Sequence, residues 1–309
     1  MRRMQLEGYF SVKEVLEKYI VGCQEKVDMS SNQLFGKAIL AGLMIGMGAA
    51  ASSVAAHTIK DVGLARMAAA VVFPVGLMMV ILLGAELFTG DCLAAMSILD
   101  GKQKVRDVAR LLWTVYIGNF VGASLLALLI SMSGQLDYSG GMLGAYTIKV
   151  AIGKVNISFS QGIVSGILCN ILVCAAVLMA MCAKDITGKL LAVFFTIMLF
   201  VTAGFEHCVA NMYYITAGIL AKNVSEYTSL AIQEYGCTLE QLDNLNLVSY
   251  TLFNLVPVTI GNILGGIVFV GVPMICLNTN RTISFKNLWK KEEKINVITY
   301  SRMHADTTH

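Results

Sequence analysis

Charged side chains are scarce in this chain. Of its 309 residues, 14% are Asp, Glu, Lys or Arg, against about 25% in an ordinary soluble domain. That is too little to wet a water-facing surface of this size. The formal net charge of +3 is too small to suggest a nucleic-acid partner. There are eight cysteines but no C-x-x-C pair. Cys92, Cys169, Cys174, Cys182, Cys208 and Cys276 lie in or beside apolar stretches, where cysteine acts as a small buried hydrophobe. No disulfide framework, metal or other cofactor is expected. A phosphate-binding glycine loop, metal-ligand spacing and a nucleophile elbow are also missing, which argues against an enzyme. Nor is a cleavable leader expected, because the first apolar run begins near residue 38 behind many charges.

What the chain has instead is hydrophobic length. It is 56% hydrophobic, with a mean hydropathy of +0.69. Six stretches are free or nearly free of charge: roughly 38–59, 67–99, 111–133, 155–183, 190–221 and 244–280. A helix needs about 20 apolar residues to cross a bilayer, so each suffices for one crossing. Lys102, Lys104, Arg106 and Arg110 crowd one linker, Lys184 and Lys189 another, and Arg281, Lys286, Lys290, Lys291 and Lys294 the tail. The alternate linkers are poorer in base, so both termini are expected in the cytoplasm of a multi-pass cell-membrane protein.

Before the first run, Ser11 and Glu14 form a capping box, and Val12, Val15, Leu16, Tyr19, Ile20, Cys23 and Val27 recur at helical spacing. This predicts an amphipathic helix too polar to cross. The chain therefore divides into an N-terminal cytoplasmic segment (1–34), a six-span channel domain (35–280) and a basic cytoplasmic tail (281–309).

The six spans read as two repeated halves. Ala38-Ile39-Leu40-Ala41-Gly42 is echoed by Gly162-Ile163-Val164-Ser165-Gly166, and Gly84-Ala85-Glu86 by Gly204-Phe205-Glu206. Gly118-Asn119-Phe120-Val121-Gly122-Ala123 is echoed by Gly261-Asn262-Ile263-Leu264-Gly265-Gly266. A repeat of three spans enters the membrane from the opposite side the second time, which predicts an all-α fold of two inverted halves with a pathway between them. Ionisable residues at bilayer depth are costly and mark function. Glu86 and Asp91 in the second run, and Glu206 and His207 in the fifth, hold matching places. His207 is expected to line the pathway and Lys154 to draw anions to its mouth, while Asn170 and Asn262 need partners within apolar spans.

The motifs Glu86-Leu87-Phe88-Thr89-Gly90, Gly118-Asn119-Phe120-Val121-Gly122-Ala123, Gly204-Phe205-Glu206-His207-Cys208-Val209-Ala210-Asn211-Met212 and Pro257-Val258-Thr259-Ile260-Gly261-Asn262 together resemble the formate/nitrite transporter family. The resemblance implies six transmembrane helices in an aquaporin-like inverted repeat, with spans 2 and 5 broken, assembled as homopentamers with a pore in each subunit. It implies a bond from Thr89 to His207, and a lysine at the mouth, Lys154, with amide and carboxylate partners Asn170 and Glu206. Asn262 comes from span 6. Leu77, Leu87 and Phe88 match apolar constrictions, and Phe73 and Phe200 match positions at a cytoplasmic slit. Asp91 departs from the pattern, since small or amide residues are common there.

The expected cargo is a small monovalent weak-acid anion, formate first. Nitrite, hydrosulfide or a proton-coupled acetate or lactate exporter are the alternatives. Lys154 would gather the anion, which accepts a proton from water or through His207, passes the constrictions as a neutral acid and ionises again beyond them.

Overall fold

The computed structural model describes residues 8–278. The basic tail expected over 281–309, and the first seven residues, lie outside the described residues.

Helix starts follow local chemistry. The Ser11–Glu14 capping box opens α1 (Val12–Asp28), whose apolar stripe of Val15, Leu16, Tyr19, Ile20, Cys23 and Val27 is buried. Ser30 caps α2 (Ser31–Ala56) and Asp61 caps α3 (Val62–Leu82), within which Pro74 sits at the start of a new helical turn. Then come α4 (Phe88–Leu99) and α5 (Val105–Met132). In the second half, α6 (Met142–Val155) precedes α7 (Phe159–Cys182), which a second capping box, Ser158 with Gln161, begins. Asp185 caps α8 (Ile186–Ala203), and Gly204, at φ 74°, ends it in the left-handed region that glycine tolerates. Next are α9 (Cys208–Ala221), the surface helices α10 (Ser225–Tyr235) and α11 (Leu239–Asn244), and α12 (Leu247–Asn278), which includes two π-helical stretches.

Among the described residues, α2, α3, α5, α7, α8 and α12 are long and apolar enough to cross a membrane. The second and fifth apolar runs each divide into two helices, separated by 83–87 and 204–207. The protein is therefore an all-α membrane protein.

Bare backbone lets the helices close on each other. In one half Gly122 of α5 faces the Ile39 carbonyl of α2. In the other Gly265 of α12 faces the Ile167 carbonyl of α7. A methyl group at either place would strike main chain, so these are small-residue crossings of the kind that join membrane helices.

The two halves superpose bond for bond at one asparagine each. Asn119 Oδ1 accepts from the Phe88 amide (2.9 Å), while its Nδ2 donates to Ala38 O (2.8 Å) and Glu86 O (2.9 Å). Asn262 Oδ1 accepts from the Cys208 amide (2.9 Å), while its Nδ2 donates to Gly166 O (2.8 Å) and Glu206 O (3.0 Å). Both residues are fully buried. This pairing corrects one expected echo: Ala38 corresponds to Gly166, four residues beyond Gly162. A shift of four is about one helical turn and keeps the same face, so small residues recurring at that interval disguised it. In the corrected register Lys26 corresponds to Lys154 and Ser30 to Ser158, so the repeat includes α1 and α6.

Candidate functional site

The site is built where the two divided helices begin again. Asn119 and Asn262 tie the returning strands of backbone to neighbouring helices, as described. Asn170 adds a third tie, donating to Thr89 O (3.1 Å) and Asn262 O (2.6 Å). Among the groups these amides bind are the Phe88 and Cys208 amides, which open helices, and the Glu86 and Glu206 carbonyls, which lie between them. An unsatisfied polar group in such a place costs about 1–3 kcal/mol.

Between the two restarts, His207 Nε2 lies 3.0 Å from Thr89 Oγ1. His207 also caps α9, its Nδ1 accepting from the Ala210 amide at 3.2 Å. A nitrogen that accepts carries no proton, so the ring's single proton sits on Nε2 and is donated to the threonine. Thr89 then keeps its own O–H for something else. Thr89 is wholly buried and His207 nearly so.

Two cavities flank this contact. One, of about 150 Å³, is lined by His207, Lys154, Asn211, Tyr214, Phe73 and Phe200 among others. There Lys154 Nζ is 2.7 Å from Glu206 Oε1, and Asn211 Nδ2 donates to Glu206 Oε2 at 2.7 Å. Asn254 braces the group, donating to Lys154 O (2.8 Å) and accepting from Asn211 (2.9 Å). The other cavity, of about 260 Å³, lies beneath α1 and is lined by Lys26, Leu77, Val80, Glu86, Leu87 and Asp91 among others. There Lys26 Nζ is 2.6 Å from Glu86 Oε2 and 2.5 Å from Asp91 Oδ1. Burial pulls the Lys26 pKa down, but the Asp91 and Glu86 carboxylates outweigh it and raise the value above that of an ordinary lysine.

The structure brings Thr89 to His207 and Lys154 to Glu206, and it sets Leu77 and Leu87 in the cavity beneath α1. It corrects four other expectations. Asn170 is no partner of Lys154, because its amide is spent on the Thr89 and Asn262 carbonyls. The amides beside the lysine are Asn211 and Asn254. Asn262 is a clamp that lines neither cavity. Phe88 lines neither, its ring packing edge-on against Tyr116 at 4.8 Å. Phe73 and Phe200, edge to face at 5.5 Å, line the Lys154 cavity, so they do not sit at the mouth on the α1 side. Lys26 was missed altogether. Its signal lay in the repeat, since it stands as far before Ala38 as Lys154 stands before Gly166.

Two divided helices, two internal repeats and a buried polar contact between two apolar-walled cavities define a membrane transport protein of inverted-repeat architecture. The formate/nitrite transporter family model matches residues 13–276. This chain belongs to the formate/nitrite transporter family. It is 38% identical to the formate channel FocA of Haemophilus influenzae over 210 residues, which is 68% of this chain and 73% of that protein. It is 33% identical to a probable formate transporter of Methanothermobacter thermautotrophicus, over 80% of this chain and 91% of the relative. Among solved structures, a pentameric formate channel with formate bound matches with a TM-score of 0.71 and 32% identity, covering 80% of this chain and 97% of the other.

Proposed function

We propose that this protein passes small monovalent weak-acid anions across the cell membrane, with formate the foremost substrate. The observation that carries the reading is the His207–Thr89 contact, set between two cavities that each hold a lysine. An isolated carboxylate does not enter an apolar constriction at bearable cost, so it crosses neutralised. Lys154 gathers the anion, and falling dielectric favours its protonated form. His207 does not supply that proton. Its Nδ1 already accepts from a helix-opening amide, so a second ring proton would break the cap, and the proton comes from water in the Lys154 cavity. The free Thr89 O–H then donates to an oxygen of the neutral acid as it passes Phe73, Phe200, Leu77 and Leu87. The relatives named for formate, and the structural neighbour that binds it, support formate first.

The same reading gives each subunit its own pathway within a homopentamer, supported by the pentameric state of that neighbour, and places both termini in the cytoplasm. Segments 1–34 and 281–309 then flank the 35–280 channel domain on one side of the membrane. The test is uptake of labelled formate into proteoliposomes, with nitrite and hydrosulfide as competitors. His207→Phe removes both the cap and the donor and is expected to lower the rate. A variant that keeps the wild-type rate refutes the role of the ring. Stronger competition by nitrite or hydrosulfide than by unlabelled formate reassigns the substrate.

A further inference from the structure

The two cavities share a lysine and a glutamate at matching places and differ at the corner beside them. Lys154, Glu206 and Asn211 in one stand where Lys26, Glu86 and Asp91 stand in the other. Each corner residue presents an oxygen that finds no hydrogen-bond partner among the described residues, Asn211 Oδ1 and Asp91 Oδ2; Glu86 Oε2 also lacks one but faces Lys26 Nζ at 2.6 Å. Both residues line their cavities and are buried, Asp91 being 2% exposed. A buried acceptor left empty is unfavourable, and more so when it is charged, so these oxygens suit a donor that arrives from outside. A protonated weak acid brings one O–H donor and one carbonyl acceptor, which fit the corner oxygen and the lysine. An amide accepts that hydrogen bond and stops there. A carboxylate also takes the proton.

We propose that Asp91 is the proton acceptor of the cavity beneath α1, receiving the acid proton of each substrate molecule that has cleared the constrictions. The inference rests on the weak-acid reading above. The O–H bond of the acid breaks, an O–H bond forms on Asp91 Oδ2, and the electron pair stays with the substrate, which departs as an anion past Lys26. The proton then leaves Asp91 for water at the cavity mouth. Charge favours this order. Before transfer Lys26 faces two acidic side chains. Transfer makes the cluster one charge less negative, so it repels the departing anion less.

The groups around Asp91 leave it that task. From α1 come Lys18, Tyr19, Cys23 and Lys26, from the loop Glu86, and from α7 Cys174. Lys26 stays charged, held so by its carboxylates. Burial pushes the Cys23 thiol up to about 12 and the Tyr19 phenol well above its usual value, so neither exchanges protons near neutrality. Glu86 has its counterpart in Glu206 and its unpartnered oxygen faces Lys26 Nζ, whereas at residue 91 a carboxylate replaces an amide and the lysine holds only Oδ1.

The experiment is labelled-formate flux through the full chain in right-side-out and inverted membrane vesicles, with pH varied on one side at a time. In wild type, acidifying the α1 side slows delivery to that side, because it opposes release of the transferred proton to that water. Asp91→Asn is expected to remove that one-sided dependence and to slow saturated flux about a hundredfold, the low end of what a positioned proton acceptor contributes. Asp91→Glu is expected to restore the one-sided profile. An Asp91→Asn protein that conducts formate with the wild-type profile overturns the inference, as does an Asp91→Glu protein that conducts without it. Wild-type vesicles impermeable to formate overturn the functional reading instead.

Discussion

The Lys154 cluster and the Lys26 cluster are the same construction carried out by different parts of the chain. In the first, lysine and glutamate are paired one to one and the spare valences of the glutamate go to amides, Asn211 at 2.7 Å and Asn254 at 3.5 Å. In the second, one lysine serves two carboxylates, and it is supplied by α1 as α6 supplies Lys154 in the first. One cluster is completed by amides, the other by a second acidic residue. Pseudo-symmetry therefore fixes where the charges sit, and local sequence fixes how they balance.

The largest effect expected from this difference concerns stability. Glu206→Gln leaves Lys154 without the carboxylate it pairs with, and breaking a buried pair this way costs about 3–5 kcal/mol. Glu86→Gln leaves Lys26 paired to Asp91 and should cost about 1 kcal/mol, the scale of one ordinary hydrogen bond. Thermal unfolding midpoints in detergent, side by side, check the ranking. Equal shifts would mean that the clusters are energetically alike. Next in size, Asn119→Ala and Asn262→Ala each lose three bonds to main chain, about 3 kcal/mol apiece. Because the clamps are equivalent, their midpoints should fall together.

A smaller effect separates Gly122→Ala from Gly122→Ser and their partners at Gly265. The added Cβ meets a carbonyl in both halves, and overpacking of this kind costs about 1–3 kcal/mol. Similar losses at the two positions would support the equivalence of the crossings. The smallest expected change is with alkali. A lysine whose folded pKa is raised contributes docking energy that is fully present below its ordinary value, about 10.4, and is lost only as pH rises through the higher folded value. Through Lys26, the protection factors of amides in 12–28, with the base-catalysed intrinsic rate divided out, should therefore not change between roughly pH 7 and pH 9. A fall in protection within that window would show that Lys26 does not hold α1 in place.

Much of this was legible in the sequence. Charge-free runs gave the six long helices because hydrocarbon admits little else, and the capping boxes at Ser11 and Ser158 gave α1 and α7 their starts. Glu206, His207 and Lys154 stood out because ionisable groups are rare in such runs. What could not be read was direction. Asn170 and Asn262 were marked as amides in need of partners, but partners that are main-chain carbonyls leave no pattern in sequence. Phe73 and Phe200 meet edge to face in the Lys154 cavity, a placement that an apolar helix of this length does not disclose, since it offers no landmark for depth. The register of the first repeat slipped by one turn because glycine and alanine recur at that interval along both helices.

The asparagine clamps have a mechanical consequence. Each returning segment is fastened at its restart to a single side chain of a neighbouring helix, which also grips a third helix. A stretch anchored this way has no hinge of its own. Widening the passage for bulkier cargo would mean prising apart a trio of helices rather than swinging a flap, so the bore is as stiff as the bundle that frames it.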